Sequence, residues 1–546
     1  DVTTSAGLDM ANNLESTEYD GETALTRIAS GDMDRDGDQD IYVSGYNPEN
    51  NEFEHFLLKN EMGRFKDIAE KAGLVHNGIE QDAIFSDYNN DGFLDLYIAK
   101  KGPNALYENV DEEEFEEIAG EAGVNLEENG NLVLFFDMDQ EGDLDLFLGN
   151  QNSTRIFQNN GDGTFLDKTG EIAFGDPVAG CLDAVFGDYD DDGDVDLILI
   201  KEDGLPQLYL NLRDGNFSNK TPDSGLMDTG KVISVSSGDY DNDGFEDLFL
   251  VRENKVPVLF KNKQDGSFTT DDQANDFFKD LEDVSGKDAL MFDFDNDGFL
   301  DILYVGEKNS GTGKGVFMFH NSGSGDFTDA SFVLPDDLLE GHQVVVTDYN
   351  EDGDLDILIS GKNYGIRLLR NDGGNANHHL RVQLVGIRTG SGKNNHYGIG
   401  AKIEVRAGEL YQMKTVTEPN IHFGLGNREK VDVVRILWTN GVPQNIFSPG
   451  SDQDLIEEQE LKGSCPFLYV WDGEKFEFHK DMMWRSALGM PMGIMGGNKT
   501  YAFPDASQEY LKIPGEALQI KDQKYHIQIT AELWETIYFD HLNILA

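Results

Sequence analysis

Seven copies of one nine-residue acidic segment constrain this 546-residue chain more tightly than any other feature. They read DMDRDGDQD from Asp32, DYNNDGFLD from Asp87, DMDQEGDLD from Asp137, DYDDDGDVD from Asp188, DYDNDGFED from Asp239, DFDNDGFLD from Asp293 and DYNEDGDLD from Asp348, with successive starts 55, 50, 51, 51, 54 and 55 residues apart. An apolar run such as Leu134-Phe135-Phe136 precedes each segment, and another such as Leu197-Ile198-Leu199-Ile200 follows it. Two short runs of β-type residues around a glycine-containing loop predict a β-hairpin. A second hairpin signature follows, as in Ile156 to Asn159, the turn Asn160 to Gly163, and Thr164 to Asp167; it recurs at Leu208 to Phe217, Leu259 to Phe268 and Met318 to Phe327. Four strands per repeat and seven repeats predict an all-β fold led by a seven-bladed β-propeller. The last repeat supplies only three strands. Residues Asp1 to Leu8 resemble the fourth-strand tails of other repeats and are expected to complete the last blade, hiding an otherwise open sheet edge.

In every segment positions 1 and 9 are Asp and position 6 is Gly; position 3 is Asp or Asn, and position 5 is Asp except for Glu141. A hard cation takes about six to eight oxygens, and a tight loop aims alternate side chains inward when glycine permits the sharp turn. Side chains at 1, 3, 5 and 9 with the carbonyl of position 7 would supply that shell. The expected ligand residues in the first loop are Asp32, Asp34, Asp36, Asp38 and Asp40, and in the second Asp87, Asn89, Asp91, Phe93 and Asp95. The third offers Asp137, Asp139, Glu141, Asp143 and Asp145, and the fourth Asp188, Asp190, Asp192, Asp194 and Asp196. Asp239, Asp241, Asp243, Phe245 and Asp247 form the fifth set; Asp293, Asp295, Asp297, Phe299 and Asp301 form the sixth. Asp348, Asn350, Asp352, Asp354 and Asp356 close the series.

Calcium fits these sets best, about one ion per loop in a structural role. Magnesium prefers a stricter octahedron, and zinc prefers nitrogen or sulfur, which the loops lack. The EF-hand alternative fails: position 12 is Val43, Ile98, Leu148, Leu199, Leu250, Tyr304 or Ile359 rather than Glu, and the flanks are strands. Solvated turns would explain one copy but not seven in register. Without a cation, carboxylates ~4 to 5 Å apart repel by several kcal/mol per pair at an effective dielectric near 20. Loops of this kind in extracellular modules bind at roughly 10⁻⁴ to 10⁻³ M, which suits a millimolar calcium medium.

A formal charge of −62 repels phosphate backbones and anionic headgroups, so neither nucleic acid nor a membrane is an expected partner. The 38% hydrophobic content is enough for large cores. No apolar run is long enough to span a bilayer. Cys181 and Cys465 make no disulfide framework, and whether they pair stays open. The start at Asp1 suits a processed secreted protein or a trimmed chain, and the strand-like residues 537–546 carry the expectation that the natural chain continues.

The pattern around Phe186-Gly187-Asp188 through Leu199 resembles the FG-GAP or VCBS repeat, which builds the calcium-binding propeller of integrin α-subunits. The segments Asn377 to Gly386, Gly398 to Val405 and Ile421 to Gly426 resemble the ASPIC/UnbV domain. Their order is that of secreted proteins similar to cartilage acidic protein. The resemblance implies a propeller over 1–375, an ASPIC/UnbV β-domain over 376–460, read as a small β-sandwich, and a β-rich extension over 461–546. Two departures stand out: the usual Gly- and Ser-rich stretch before His422 is cut to Thr415 to Asn420, and no cysteine-rich EGF-like module follows. Within the extension, Phe467 to Trp471 and Lys475 to Phe478 predict a hairpin turning at Asp472-Gly473.

Other chemistry is weaker. His479 with Met482, Met483, Met490, Met492 and Met495 could hold Cu(I), but no spacing fixes a geometry, and a methionine-rich turn packing on Trp471 and Trp484 is the plainer reading. The stretch Gly225 to Lys231 imitates a phosphate loop, yet Val232 stands where Ser or Thr should be. Neither GxSxG nor HExxH occurs, and His378-His379 reads as a strand start. Asn152, Asn216, Asn219 and Asn498 are sequons of little weight in a chain of bacterial character. The functional expectation is a secreted adhesion or interaction module presenting a rigid face to a protein or glycan. An extracellular enzyme, or its noncatalytic subunit, with a site at the propeller axis or domain junction is one rival; a surface-layer or filament subunit is the other.

Overall fold

The computed structural model describes residues 1–19, 22–111, 113–150, 153–171, 180–212, 215–227, 229–323, 325–388, 393–459, 467–473, 475–482, 491–495, 498–501, 509–521 and 523–530. Seven antiparallel sheets follow one another, each in sequential strand order. Their first strands are Arg27–Gly31, Glu80–Ser86, Gly130–Phe136, Cys181–Gly187, Val232–Gly238, Val284–Phe292 and Gln343–Thr347. Six blades have four strands and the seventh has three. Every acidic segment joins the first strand of its blade to the second, so all seven lie on one face of the ring. The connectors between blades lie on the other face.

Blades pack through aromatic and branched residues at alternating strand positions, as where Phe136 meets Phe186 with ring centroids 5.7 Å apart. Polar stitches add register at the axis. Asp82, Asp183 and Asp288 follow β-bulges in three first strands. Each accepts a main-chain N–H from the next blade: Val133 at 2.9 Å, Val235 at 2.8 Å and Val344 at 3.0 Å. Gln343 exchanges two bonds with Ile28, joining the last blade to the first.

The open edge of the seventh blade is covered by the N-terminus. Val2 N–H donates to Leu368 O at 2.8 Å, and Leu368 N–H donates to the Thr3 hydroxyl at 2.9 Å. The segment turns there instead of running on as a regular strand, because Gly7 (φ 86°) redirects it so that Ala6 O accepts Phe65 N–H of the first blade. One short stretch thus holds both sides of the seam.

After the ring, Asn420–Gly426, His378–Val385 and Asp454–Glu458 form one sheet; Leu410–Thr415, Lys402–Ala407, Val433–Leu437 and Pro443–Phe447 form a second. Leu380, Val382, Ile403, Val405, Phe423, Ile436 and Trp438 fill the β-sandwich between them. This sandwich sits on the acidic-loop face. Its Thr417-Glu418-Pro419 turn enters the axial channel, where it borders a cavity of ≈ 460 Å³ walled by Ile84, Leu134, Val185 and Leu290. Burial pushes the Glu418 carboxyl up to about 7, with Lys414 opposing the shift.

Further on, Phe467–Trp471 pairs with Phe476–Asp481 and with Ile527–Thr530, and the turn between the first two falls at Asp472-Gly473. Met483, Met490, Trp484, Cys465, Asn152 and residues 537–546 lie outside the described residues. His479 Nε2 is 2.9 Å from the Lys512 carbonyl. Cys181 is a buried free thiol whose pKa burial raises. Among the described residues no helix is long and apolar enough to cross a membrane.

Candidate functional site

Each acidic segment folds into the same loop because two of its residues adopt left-handed backbone. Position 6 is always glycine, with φ between 82° and 100°. Position 4 is also left-handed, with φ between 55° and 62° at Arg35, Asn90, Gln140, Asp191, Asn242, Asn296 and Glu351. That conformation suits Asn and Asp, whose short polar side chains tolerate it, better than other L-residues. The two reversals curl the main chain so that alternate side chains converge.

The loop carboxylates organise the backbone first. The position 1 carboxylate accepts the N–H of position 6 in all seven loops, as at Asp239 from Gly244 at 2.8 Å. In six loops it also accepts the N–H of position 5. The exception is Asp137, where Glu141 N–H turns to Asp139 instead and leaves Asp137 Oδ1 without a hydrogen bond. Position 5 accepts from position 7 in the six loops that carry Asp there.

In four loops position 3 has an oxygen that the protein leaves unsatisfied. Asp190 Oδ1, Asp241 Oδ1, Asp295 Oδ1 and Asn350 Oδ1 are buried and make no hydrogen bond. Such an atom costs about 1 to 3 kcal/mol, more if charged, unless something bonds to it. Ligand atoms of Asp32, Asp34 and Asp36, of Asp137, Asp139 and Asp145, and of Asp188, Asp190 and Asp196 lie within 4.8 Å of one another in each group. Burial, reinforced by neighbouring carboxylates, pushes Asp32 and Asp348 up to about 6, Asp87 and Asp293 to about 7, and Asp137 and Asp239 to about 8. At position 9 burial raises Asp40 and Asp356 to about 8 and takes Asp95, Asp145, Asp196, Asp247 and Asp301 well above the usual range. Convergent oxygens, an unsatisfied atom and carboxyls that resist ionisation are what a hard divalent cation corrects.

At position 7 the aspartates turn away from the loop centre. Asp38 accepts Met62 N–H at 2.7 Å, and Asp143 and Asp354 accept Asn90 Nδ2 and Asn296 Nδ2 at 3.0 and 3.1 Å from the preceding loop. Asp194 accepts from Gln140 in the same manner. Only the carbonyl of this position remains as a candidate donor, as it does at Phe93, Phe245 and Phe299.

Position 9 leads to a feature that the loop pattern does not reveal. Its carboxylate accepts the N–H of an asparagine at the end of the third strand, at 2.7 to 2.9 Å in every blade. The amide of that residue (Asn60, Asn109, Asn159, Asn211, Asn262, Asn321 or Asn371) donates to the position 2 carbonyl of the preceding blade's loop at 2.6 to 2.9 Å. Seven identical stitches therefore run around the loop face. An asparagine recurring just before each second-hairpin turn was the available signal. Asn159→Ala should remove bonds to the Tyr88 and Leu144 carbonyls and cost about 1 to 3 kcal/mol, read from urea unfolding.

Position 4 side chains of alternate loops hold the sandwich. Asn90 Oδ1 accepts His396 N–H at 2.8 Å, Lys402 Nζ donates to Asp191 at 2.7 Å and lies 3.2 Å from Asp188, and Asn296 Oδ1 is 2.6 Å from His422 Nε2. The loop face is thus an intramolecular interface. Within the axial cavity Asp183 and Asp288 are committed to main-chain donors, which makes them wall elements.

In four blades the residue before the seam asparagine overhangs the loop carboxylates of its own blade. Lys59 pairs with Asp34, Lys261 pairs with Asp241 and lies 3.1 Å from Asp243, and Gln158 Nε2 donates to Asp139 at 2.5 Å. Glu108 accepts the Tyr88 hydroxyl at 2.9 Å, and Arg370 turns out to Asp372. The loops are therefore electrostatically unequal.

The FG-GAP-like repeat matches residues 32–98, 87–148, 137–199, 188–250, 239–304 and 293–359, and the ASPIC and UnbV domain matches residues 390–462. Mouse cartilage acidic protein 1 is 25% identical over 311 residues, 52% of this chain and 44% of the relative. The human protein of that name is 27% identical over 282 residues, 46% of this chain and 40% of the relative. The chain spans less than half the length of these relatives. Among solved structures, an Agrocybe aegerita lectin that recognises non-reducing terminal N-acetylglucosamine is similar at TM-score 0.41 and 20% identity, covering 64% of this chain and 92% of the lectin. The BP39L lectin from Burkholderia pseudomallei is similar at TM-score 0.42 and 9% identity, covering 64% and 97%.

Proposed function

This chain belongs to the FG-GAP-like repeat family, and from that membership we propose that it is an extracellular interaction module whose acidic loops hold structural calcium. The observation that carries the calcium assignment is the position 3 oxygen left without a hydrogen bond in four loops, amid carboxylates that already anchor the turn. Bound calcium would be held by side chains at positions 1, 3, 5 and 9 and the carbonyl of position 7. Its contribution is charge neutralisation. It lets the carboxylates stay ionised while they fix the loop, the asparagine seam and the surface on which the sandwich docks.

A requirement for millimolar calcium would favour a position outside the cell, and similarity to cartilage acidic protein 1 supports that reading. Equilibrium dialysis with metal analysis tests the assignment: several bound calcium ions per chain support it, and none would refute it. The loops should differ in affinity. In blade five a calcium ion must displace the Lys261 ammonium from Asp241 and Asp243, so Lys261→Met should tighten that site severalfold in a calcium titration.

With the sandwich on the loop face, the connector face is uncovered among the described residues and is the surface offered to a partner, which is a protein or a glycan. Large apolar side chains stand exposed there, with Phe332 at 84%, Val75 at 76% and Met227 at 61% of full accessibility. Each is a single side chain on a separate connector, so together they are probes of that face rather than a continuous patch. Glycan and matrix-protein arrays probed with the wild type and with a Phe332→Glu, Met227→Glu double variant test this. Binding that the double variant loses places the partner on the connector face; binding unchanged in the variant moves it elsewhere.

A further inference from the structure

Blade six differs from the others in what overhangs its loop. At the position where Lys59, Gln158 and Lys261 present amino or amide groups to carboxylates, the sixth blade presents His320. Its Nε2 lies 3.3 Å from Asp295 Oδ2 and 3.7 Å from Asp297 Oδ2. That nitrogen is buried and makes no hydrogen bond, as is Asp295 Oδ1 beside it. The donor atoms of Asp295, Asp297 and His320 all lie within 4.8 Å of one another. The ring is held edge-on by Phe294, with centroids 5.8 Å apart and planes at 82°.

An ammonium in this place can only donate protons to the loop and an amide offers at most a hard oxygen, whereas a neutral imidazole brings a nitrogen lone pair. One nitrogen added to several carboxylate oxygens changes which ion the site prefers. Calcium and magnesium gain little from imidazole, while zinc and its neighbours bind it strongly. We propose that the blade six loop is a mixed nitrogen–oxygen site that takes a divalent transition ion of the zinc class through His320, Asp295 and Asp297, with Asp293 or Asp301 completing the shell. This rests on the reading of the loops as cation sites. It adds that the seven are not one set: the blade six loop takes a transition ion, and the loops without an overhanging histidine do not. The nitrogen comes from the third strand, so the loop sequence does not show it.

The test uses the full chain, dialysed against zinc with calcium in large excess, followed by metal analysis and anomalous diffraction at the zinc edge. The expected result is one zinc per chain, located beside His320. In His320→Gln, zinc affinity should fall at least the roughly tenfold that losing even an outer partner of a metal ligand brings. Gln158 occupies the same place in blade three, so glutamine suits this fold. Lys261→His should in turn install a second zinc site in blade five. The proposal is overturned if the wild type retains no more zinc than His320→Gln, or if the anomalous peak falls elsewhere, as at the histidine-bearing cluster His55, His76 and Glu80. Zinc beside His320 with no calcium in any loop would refute the calcium reading and leave this one standing.

Discussion

Stripping calcium with excess EDTA should lower the thermal midpoint by on the order of ten degrees. At millimolar calcium and a dissociation constant of roughly 10⁻⁴ M, each occupied site stabilises the folded state by about 1.4 kcal/mol. Six such sites, blade six left aside, together supply on the order of 8 kcal/mol. A ring of about 370 residues has an unfolding entropy near 0.8 kcal/mol per degree, which converts that loss to roughly 10 degrees. The structure places the loss at the seams. Position 9 holds the asparagine that bonds the preceding loop, and position 1 holds the turn itself, so repulsion released in one loop strains its neighbour's hydrogen bond. Differential scanning calorimetry with and without EDTA, and with calcium restored, is the measurement. A midpoint that moves by less than a degree or two would show that the loops are not calcium clamps.

The metal-free protein should also respond to pH in the opposite sense from most acidic proteins. Without a cation, burial and mutual repulsion hold Asp87 and Asp293 at about 7 and Asp40, Asp137, Asp239 and Asp356 at about 8, all above the unfolded carboxylate value. A carboxyl whose folded pKa is raised favours folding in its protonated form. Its contribution is full below the unfolded pKa and is lost as pH climbs through the folded value. In EDTA the midpoint should therefore rise as pH is lowered from about 8 to about 5. Buried histidines oppose this: burial holds His396 at about 4 and drives His422 well below the ordinary range, so each loses stability on acidification. Five histidines shift this way, counting His55, His342 and His379, against at least twice as many carboxyls, so the carboxyls set the sign. With calcium present the trend should invert, because the ion requires ionised ligands and leaves as they protonate. Parallel melting curves in EDTA and in calcium should cross; curves that stay parallel would reject the account.

Much of this was legible in the linear chain. Periodicity alone gave the blades, since each acidic segment sits between two β-type runs and the interval between segments fits four short strands. The glycine at position 6 announced a left-handed turn. Position 4 did not, because Arg35, Gln140 and Glu351 are not residues that advertise that conformation; the curl of the loop imposes it. The asparagine seam was visible as a recurrence but not as a bond, since its acceptor lies one blade away. The shortened stretch Thr415 to Asn420 could be noticed in sequence, yet that its Thr417 to Pro419 turn enters the axial channel depends on where the sandwich docks. His320 had no local signal at all. Its meaning comes from lying across strand three from a loop some twenty residues earlier.

The sequence by itself determined the all-β class, the count of blades and the places where carboxylates gather. Those follow from interactions between residues near one another in the chain, which a repeated pattern displays directly. Tertiary structure alone decided that the sandwich covers the loop face, that asparagine amides stitch each blade to the one before it, and that a histidine reaches the sixth loop. Those contacts join residues distant in sequence, and burial and long-range packing, rather than local preference, bring them together.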